Sequence, residues 1–124
     1  MKPIHAPKAP AALGPYSAAI ACGKLLFCSG QTPIDPATGD LVQGSITQQT
    51  EQVIKNLAAV LDAAGVGLQD VLKTTCFLTD MGDFAAFNAV YAQHFISKPA
   101  RSTVAVKALP KGAMVEIELI AKIG

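Results

Sequence analysis

The sequence predicts an α+β fold, a mixed β-sheet with two helices on one of its faces, in a single domain spanning residues 1–124. The hydrophobic pattern switches between period two, typical of strands, and the three-and-four spacing of helices, in the order β-β-β-α-β-α-β-β. A chain of 124 residues suits one domain. No repeat, linker or low-complexity tract divides it. These observations together predict one compact sheet-and-helix unit.

The first part of the chain reads as strands and turns. Residues 18–22 and 25–28 are apolar and flank Gly23-Lys24, which predicts a β-hairpin. Asp, Pro and Gly in residues 35–40 predict a turn, and Leu41-Val42 then predicts a very short third strand. The lead-in is expected to be extended or irregular because it contains four prolines, Pro3, Pro7, Pro10 and Pro15.

A long amphipathic helix is predicted next. Ser45 or Thr47 can cap its start, it runs to Ala64, and Gly65 is a natural C-terminal stop. Its apolar positions follow helical spacing: Ile46, Val53, Ile54, Leu57, Val60, Leu61 and Ala64. Its solvated face is expected to hold Gln48, Gln49, Glu51, Gln52, Lys55, Asn56 and Asp62.

The second half repeats the alternation of strand and helix. Residues 71–78 predict a strand, and Asp80 or Asp83 can cap a second helix. Residues 102–106 and 114–123 predict the last two strands. The second helix takes its apolar side from Phe84, Phe87, Val90, Tyr91 and Phe95.

Two helices can cover only one face of the predicted sheet, yet residues 25–27 and 104–106 are apolar on both sides. Hydrophobic residues make up 51% of the chain and charged residues only 15%, which is few charges for a small monomer. We therefore expect the second face to be buried against other copies of the chain.

Composition argues against several functional classes. The net charge is +1 with no basic run, and the chain has two Tyr, five Phe and no Trp, so nucleic-acid binding is not expected. No apolar run reaches the roughly 20 residues of a membrane helix. The N-terminal residues lack the long apolar segment of a secretory signal, so a cytoplasmic protein is expected.

The cysteine and histidine pattern predicts no metal site. His5 and His94 are far apart in sequence, and no Cys-x-x-Cys occurs. Cys22, Cys28 and Cys76 all lie in strand-like apolar runs and are expected to be buried free thiols in a reducing compartment. A redox pair between Cys22 and Cys28 across the hairpin stays open as an alternative.

Arg101, the only arginine of the chain, stands before an apolar, β-branched run. Its permanent charge and planar fork of donors suit a carboxylate or phosphate ligand. The ordinary interpretation is a salt bridge to Glu116 or Glu118, or a charge at a strand end that reaches water. Three other polar residues, taken singly, also need no functional explanation: Tyr16, Ser29 and Asn88.

Several motifs, in order along the chain, resemble the RidA/YjgF family of small imine deaminases. They run from near the N-terminus to the last strand: Gly14-Pro15-Tyr16-Ser17, Ser29-Gly30-Gln31-Thr32-Pro33, Asp35-Pro36-x-Thr38-Gly39, Gln52 with Asn56, Leu57 and Gly65, Lys73-Thr74-Thr75, Asp83-Phe84, Asn88-Ala89-Val90-Tyr91, Pro99-Ala100-Arg101-Ser102 and Glu116-Ile117-Glu118. The resemblance implies a chorismate-mutase-like or YjgF-like fold and a homotrimer with a barrel-like core. It also implies active sites between subunits.

The activity that this resemblance implies is hydrolysis of reactive enamines and imines, such as 2-aminoacrylate and 2-iminobutyrate, to 2-ketoacids and ammonia. By position, Arg101 would hold the substrate carboxylate, and Glu116 would position or activate water. Tyr16, Ser29 and Asn88 would line the pocket. No cofactor or metal is implied, because the imine carbon is already electrophilic and positioning plus a carboxylate base can suffice.

Two residues depart from the family pattern near the implied site. Thr103 stands where many active members have a cysteine, and Lys98 stands where an aromatic residue often precedes Pro-Ala-Arg. Both positions would border the pocket, so we expect Thr103 to bear on substrate choice. Two rival functions stay open: capture of a 2-ketoacid without turnover, and a protein- or RNA-interacting role such as a ribonuclease or holdase.

Overall fold

The computed structural model describes residues 1–124 as one six-stranded mixed sheet with two α-helices. The strand order is β1-β2-β3-β6-β4-β5, and every neighbouring pair is antiparallel except β4 and β5. The elements are β1 Lys2–Ile4, β2 Ala19–Cys22, β3 Leu25–Gln31, α1 Ile46–Ala63, β4 Val71–Leu78, α2 Phe84–His94, β5 Ala100–Ala105 and β6 Val115–Lys122. The predicted α+β class with two helices is confirmed.

The core lies between the helices and one face of the sheet. Alternate residues of β6 are buried there, because successive side chains of a strand point to opposite faces. They pack with the apolar stripe of α1, in which Val53, Leu57, Val60 and Leu61 are fully buried. Burying a side chain of this size contributes about 1.5–3 kcal/mol, so this interface holds α1 on the sheet.

The third strand is not where the sequence predicted it. Leu41 forms only an isolated bridge to Ile34, whereas Lys2–Ile4 pairs antiparallel with β2. The prolines of the lead-in argued against a strand there. Pro3 is nevertheless tolerated because β1 is the outermost strand, where a missing N–H need not break a ladder.

Two polar residues of α1 that were expected on its solvated face, Gln49 and Asn56, are buried. Asn56 Nδ2 donates to the carbonyl oxygens of Thr32 and Ile34, at 3.1 and 2.9 Å. The Gln49 Oε1 accepts from the backbone N–H of Met114 at 2.9 Å. These amides satisfy backbone groups outside the helix, and they fix both the 32–34 segment and the start of β6.

The ends of α1 follow the predicted chemistry, whereas Asp83 at the N-cap position of α2 makes no side-chain cap bond. Gln48 Oε1 accepts from the backbone N–H of Ser45 at 2.8 Å, the return bond of a capping box. Gly65 has φ +78°, the left-handed conformation that stops α1. The Asp80 carboxylate accepts from the backbone N–H of Gly82 at 2.8 Å and begins the 3₁₀ turn that leads into α2.

The expectation of three buried thiols is wrong for Cys22, which is exposed at the end of β2, beside the hairpin turn. Cys28 and Cys76 are buried, and burial raises the pKa of the Cys28 thiol to about 12. The hairpin register pairs Cys22 with Leu25 and Cys28 with Ala19. Cys22 and Cys28 therefore do not face each other, and a redox pair between them is excluded.

The face of the sheet away from the helices is uncovered in the chain. Leu25, Phe27 and Val104 point from it and keep 38%, 42% and 45% of their surface exposed. The prediction that the sheet is apolar on both sides at several places is confirmed, although Glu116 and Glu118 also lie on this face. Neither helix is long and apolar enough to cross a membrane.

Candidate functional site

Arg101 lies inside β5, the outermost strand on one side of the sheet. The strand begins at Ala100, two residues earlier than predicted. Arg101 is therefore part of the strand and does not precede it. The register sets Arg101 beside Thr74 of β4, whose side chain is fully buried on the helix-covered face. The arginine therefore points toward α2.

The guanidinium is held by one side of α2. Arg101 Nη1 donates to Asn88 Oδ1 at 2.7 Å. The guanidinium carbon lies 4.7 Å from the ring centroid of Tyr91 and 5.5 Å from that of Phe84, within cation–π range. The Tyr91 hydroxyl is in turn hydrogen-bonded to Thr74 Oγ1 at 2.7 Å. We call Arg101, Asn88, Phe84 and Tyr91 the arginine group.

The arginine group holds its charge in place without neutralising it. The chain's one contact of a basic side chain with a carboxylate joins His94 to Glu51 at 2.9 Å and does not involve Arg101. Glu116 and Glu118 alternate with the buried residues of β6 and therefore lie on the opposite face of the sheet from Arg101. The salt bridge to Glu116 or Glu118, the ordinary interpretation of the sequence, is absent. A fixed guanidinium without a carboxylate partner is suited to binding an anionic ligand.

A cavity of about 420 Å³ opens beside the arginine group, a size within the range of small-molecule sites. Arg101 and Asn88 supply polar lining, and Phe95, Ile96 and Pro99 supply apolar lining. Lys98 lines the same cavity from the turn that follows α2. The cavity combines a few polar groups with apolar walls.

Thr103 lies two residues beyond Arg101 on β5, beside Cys76 of β4 and on the same face of the sheet as Arg101. Its Oγ1 is buried and has no hydrogen-bond partner in the chain. Buried hydroxyls are nearly always paired, and Thr103 is one of two exceptions in the chain, the other being Thr50.

Glu116 occupies the other face of the sheet, in register with Phe77 of β4. Its carboxyl group lies over Gly30, where a Cβ would come within 2.8 Å of Glu116 Cδ. Only glycine leaves that space. Burial raises the pKa of the Glu116 carboxyl above its usual range, and the negative charge of Glu118 raises it further.

Ser29 directly precedes Gly30 in the chain, and Tyr16 lies near Gly30. Ser29 Oγ donates to the carbonyl oxygen of Ser17 at 2.7 Å. The Tyr16 hydroxyl accepts from the backbone N–H of Leu13 at 3.2 Å, and its ring lines a small cleft together with Gly30. We call Tyr16, Ser29, Gly30 and Glu116 the glutamate group.

The candidate residues thus fall into two groups that the sheet of one chain separates. Arg101 and Asn88 are in contact, with Thr103 on the same face; Glu116 is on the other face. Sequence reasoning treated Phe84 and Tyr91 only as apolar helix positions. Their spacing from Asn88, four residues before and three after, places all three on one side of a helix and could have indicated a shared role.

Comparison with known proteins agrees with the order of these motifs. A family model described as Endoribonuclease L-PSP matches residues 6–123. The chain is 54% identical to a RutC family protein of Pyrococcus horikoshii, over 95% of this chain and 94% of that one. It is 46% identical to the mouse 2-iminobutanoate/2-iminopropanoate deaminase, over 97% of this chain and 90% of the mouse protein.

The chain belongs to the RidA/YjgF family. Among solved structures, E. coli TdcF with bound serine superposes with a TM-score of 0.95 at 39% identity, and the alignment covers 100% of both chains. The fold of the family therefore extends over the full length of this chain. The names within the family are diverse, and they include a deaminase, RutC proteins and an endoribonuclease.

Proposed function

We propose that this protein hydrolyses reactive enamines and imines of small 2-amino acids, such as 2-aminoacrylate and 2-iminobutyrate, to 2-ketoacids and ammonia. The observation that carries the proposal is the arginine group: a fixed guanidinium with no carboxylate partner, beside a cavity of about 420 Å³. The 46% identity to the mouse deaminase supports the choice of reaction.

Arg101 is the proposed anchor for the substrate carboxylate. One of its donors is committed to Asn88, and the remaining N–H groups are available for a two-pronged contact. Tyr91 and Phe84 restrict where the guanidinium can lie. A substrate held in this way presents its C=N carbon in a fixed orientation, and orientation is a large part of what such a reaction needs.

Glu116 is the proposed base for water. Its carboxylate accepts a proton as a water oxygen bonds to the imine carbon, and the C=N π electrons pass to nitrogen. The proton then returns to nitrogen, which gives a carbinolamine. Glu116 next takes the hydroxyl proton and passes it to the same nitrogen as the C–N bond breaks, so that ammonia leaves and the C=O bond of the ketone forms. A carboxyl group whose pKa is raised by burial is a better base than an ordinary exposed one. An enamine enters the same path after protonation at its terminal carbon.

The two groups can act on one substrate only if they come from different copies of the chain. Arg101 and Glu116 lie on opposite faces of one sheet, and the Glu116 face also carries the exposed Leu25, Phe27 and Val104. We propose a homotrimer with a barrel-like core, in which these faces pack together. Each interface joins the arginine group of one subunit to the glutamate group of the next, and Thr103 faces the same pocket.

Subunit mixing tests this arrangement. Arg101→Met and Glu116→Gln are each expected to be inactive alone, because every interface lacks one partner. After the two variants are unfolded together and refolded at equal ratio, about a quarter of the interfaces carry both native residues, and activity returns to about that fraction. Each variant refolded by itself is the control. No recovery in mixed trimers would contradict a site shared between subunits, and elution of the native protein at monomer size would contradict the trimer.

The function itself is tested by the rate at which the purified protein clears 2-aminoacrylate generated in place by a lyase. Titration calorimetry with 2-ketobutyrate runs beside it. We expect faster clearance and measurable binding of the ketoacid. Binding without faster clearance would favour capture of small carboxylates, which the solved relative with bound serine makes the second candidate. The family model's description makes RNA cleavage a necessary third assay, in which we expect no activity because the net charge is only +1.

A further inference from the structure

A second basic residue lines the cavity beside Arg101. Lys98 lines it together with Arg101, and no aspartate or glutamate is among its lining residues. The chain's one contact of a basic side chain with a carboxylate lies elsewhere, between His94 and Glu51. Two cations that share one cavity, with no carboxylate of the same chain in its lining, raise the local concentration of anions, and most strongly of anions with two negative groups.

The backbone sets Lys98 at this position. Its φ is 55°, an uncommon value for a residue with a side chain, and its N–H donates to the carbonyl oxygen of Phe95 at 3.1 Å. Pro99 follows directly and leads into β5, so only two residues separate Lys98 from Arg101. The turn thus brings both basic residues to the lining of the same cavity.

We infer that Lys98 binds a second carboxylate and that the preferred substrates are imines of acidic 2-amino acids, such as those formed from aspartate or glutamate. The inference rests on the proposed function and narrows it. A monocarboxylic imine engages Arg101 and leaves Lys98 without a partner in the site. A dicarboxylic imine places one carboxylate on each cation, and the Lys98 pair adds binding that the smaller substrate cannot obtain.

The test compares imines generated in place by amino-acid oxidases from aspartate, glutamate, alanine and 2-aminobutyrate. We expect kcat/KM to be about five-fold higher for the dicarboxylic imines, the upper end for a pair with an exposed lysine. Lys98→Met removes that preference, because kcat/KM falls about five-fold more for the dicarboxylic imines than for the monocarboxylic ones, whereas Lys98→Arg keeps it. Lys24→Met, a change in the β2–β3 turn, alters neither class. Equal losses for both classes in Lys98→Met, or a native preference for monocarboxylic imines, would overturn the inference.

Binding separates this inference from the proposed function. Titration calorimetry with oxaloacetate, 2-oxoglutarate and 2-ketobutyrate reports on Lys98 whether or not any imine is turned over. Tighter binding of the two dicarboxylates, lost in Lys98→Met, supports the inference even for a protein that fails the deaminase assay. Equal affinity for all three ketoacids overturns it even for an active deaminase.

Discussion

Replacing Arg101 with methionine is expected to lower kcat/KM for imine hydrolysis by about 10²–10³-fold, the usual cost of removing one member of a desolvated charge pair. Methionine is similar in length and stays apolar, so it can keep contact with the rings of Tyr91 and Phe84. The fold should survive, because a single cation–π contact contributes only about 0.5–2 kcal/mol. Steady-state kinetics, with thermal unfolding beside them, measure both effects.

The control for Arg101→Met is Lys107→Met, which removes an exposed positive charge just past the end of the same strand. It should leave kcat/KM unchanged. Arg101→Lys keeps the charge but loses the planar fork and the contact with Asn88, so intermediate activity is expected. An Arg101→Met protein that retains near-native turnover would refute the assignment of the carboxylate anchor.

Glu116→Gln is expected to lower kcat by about 10²–10⁴-fold, the range for loss of a general base. The amide has the same shape and fits the same space over Gly30, so affinity for a 2-ketoacid should change little. Stopped-assay rates and titration calorimetry measure the two quantities separately. Parallel losses in turnover and in ketoacid affinity would argue against a role in handling water.

The pH dependence of the rate is a second test of the role proposed for Glu116. Glu116 acts in its charged form, so the rate falls as the pH is lowered through its pKa, which burial and Glu118 hold above the usual glutamate range. Glu118→Gln removes a neighbouring negative charge. That change lowers the pKa of Glu116 and moves the acid limb of the profile to lower pH, while kcat on the plateau stays near native. A shift to higher pH, or no acid limb, would contradict this assignment.

Most of the local structure could be read from the sequence, because short-range patterns determine it. The spacing of Val53, Leu57 and Leu61 predicts the buried side of α1, and Gly65 predicts its end. Lys2–Ile4 escaped prediction because its prolines argue against a strand, and only the partner strand Ala19–Cys22 makes an edge position possible. Burial of Gln49 and Asn56 escaped for a similar reason, since their partners lie 65 and 22–24 residues away in the sequence.

The sequence by itself determined which residues are candidates for the site. The sequence alone shows the single arginine and the ordered family motifs. It also shows that Lys98 and Thr103 differ from the family pattern. Only the tertiary structure decided on which face of the sheet each candidate residue lies. The parallel register of β4 and β5 turns Arg101 toward Asn88, whereas the period of β6 turns Glu116 to the opposite face. Register fixes the face of every side chain, and it depends on pairing between strands that are distant in sequence. For that reason only the structure could show that the proposed anchor, Arg101, and the proposed base, Glu116, lie on opposite faces.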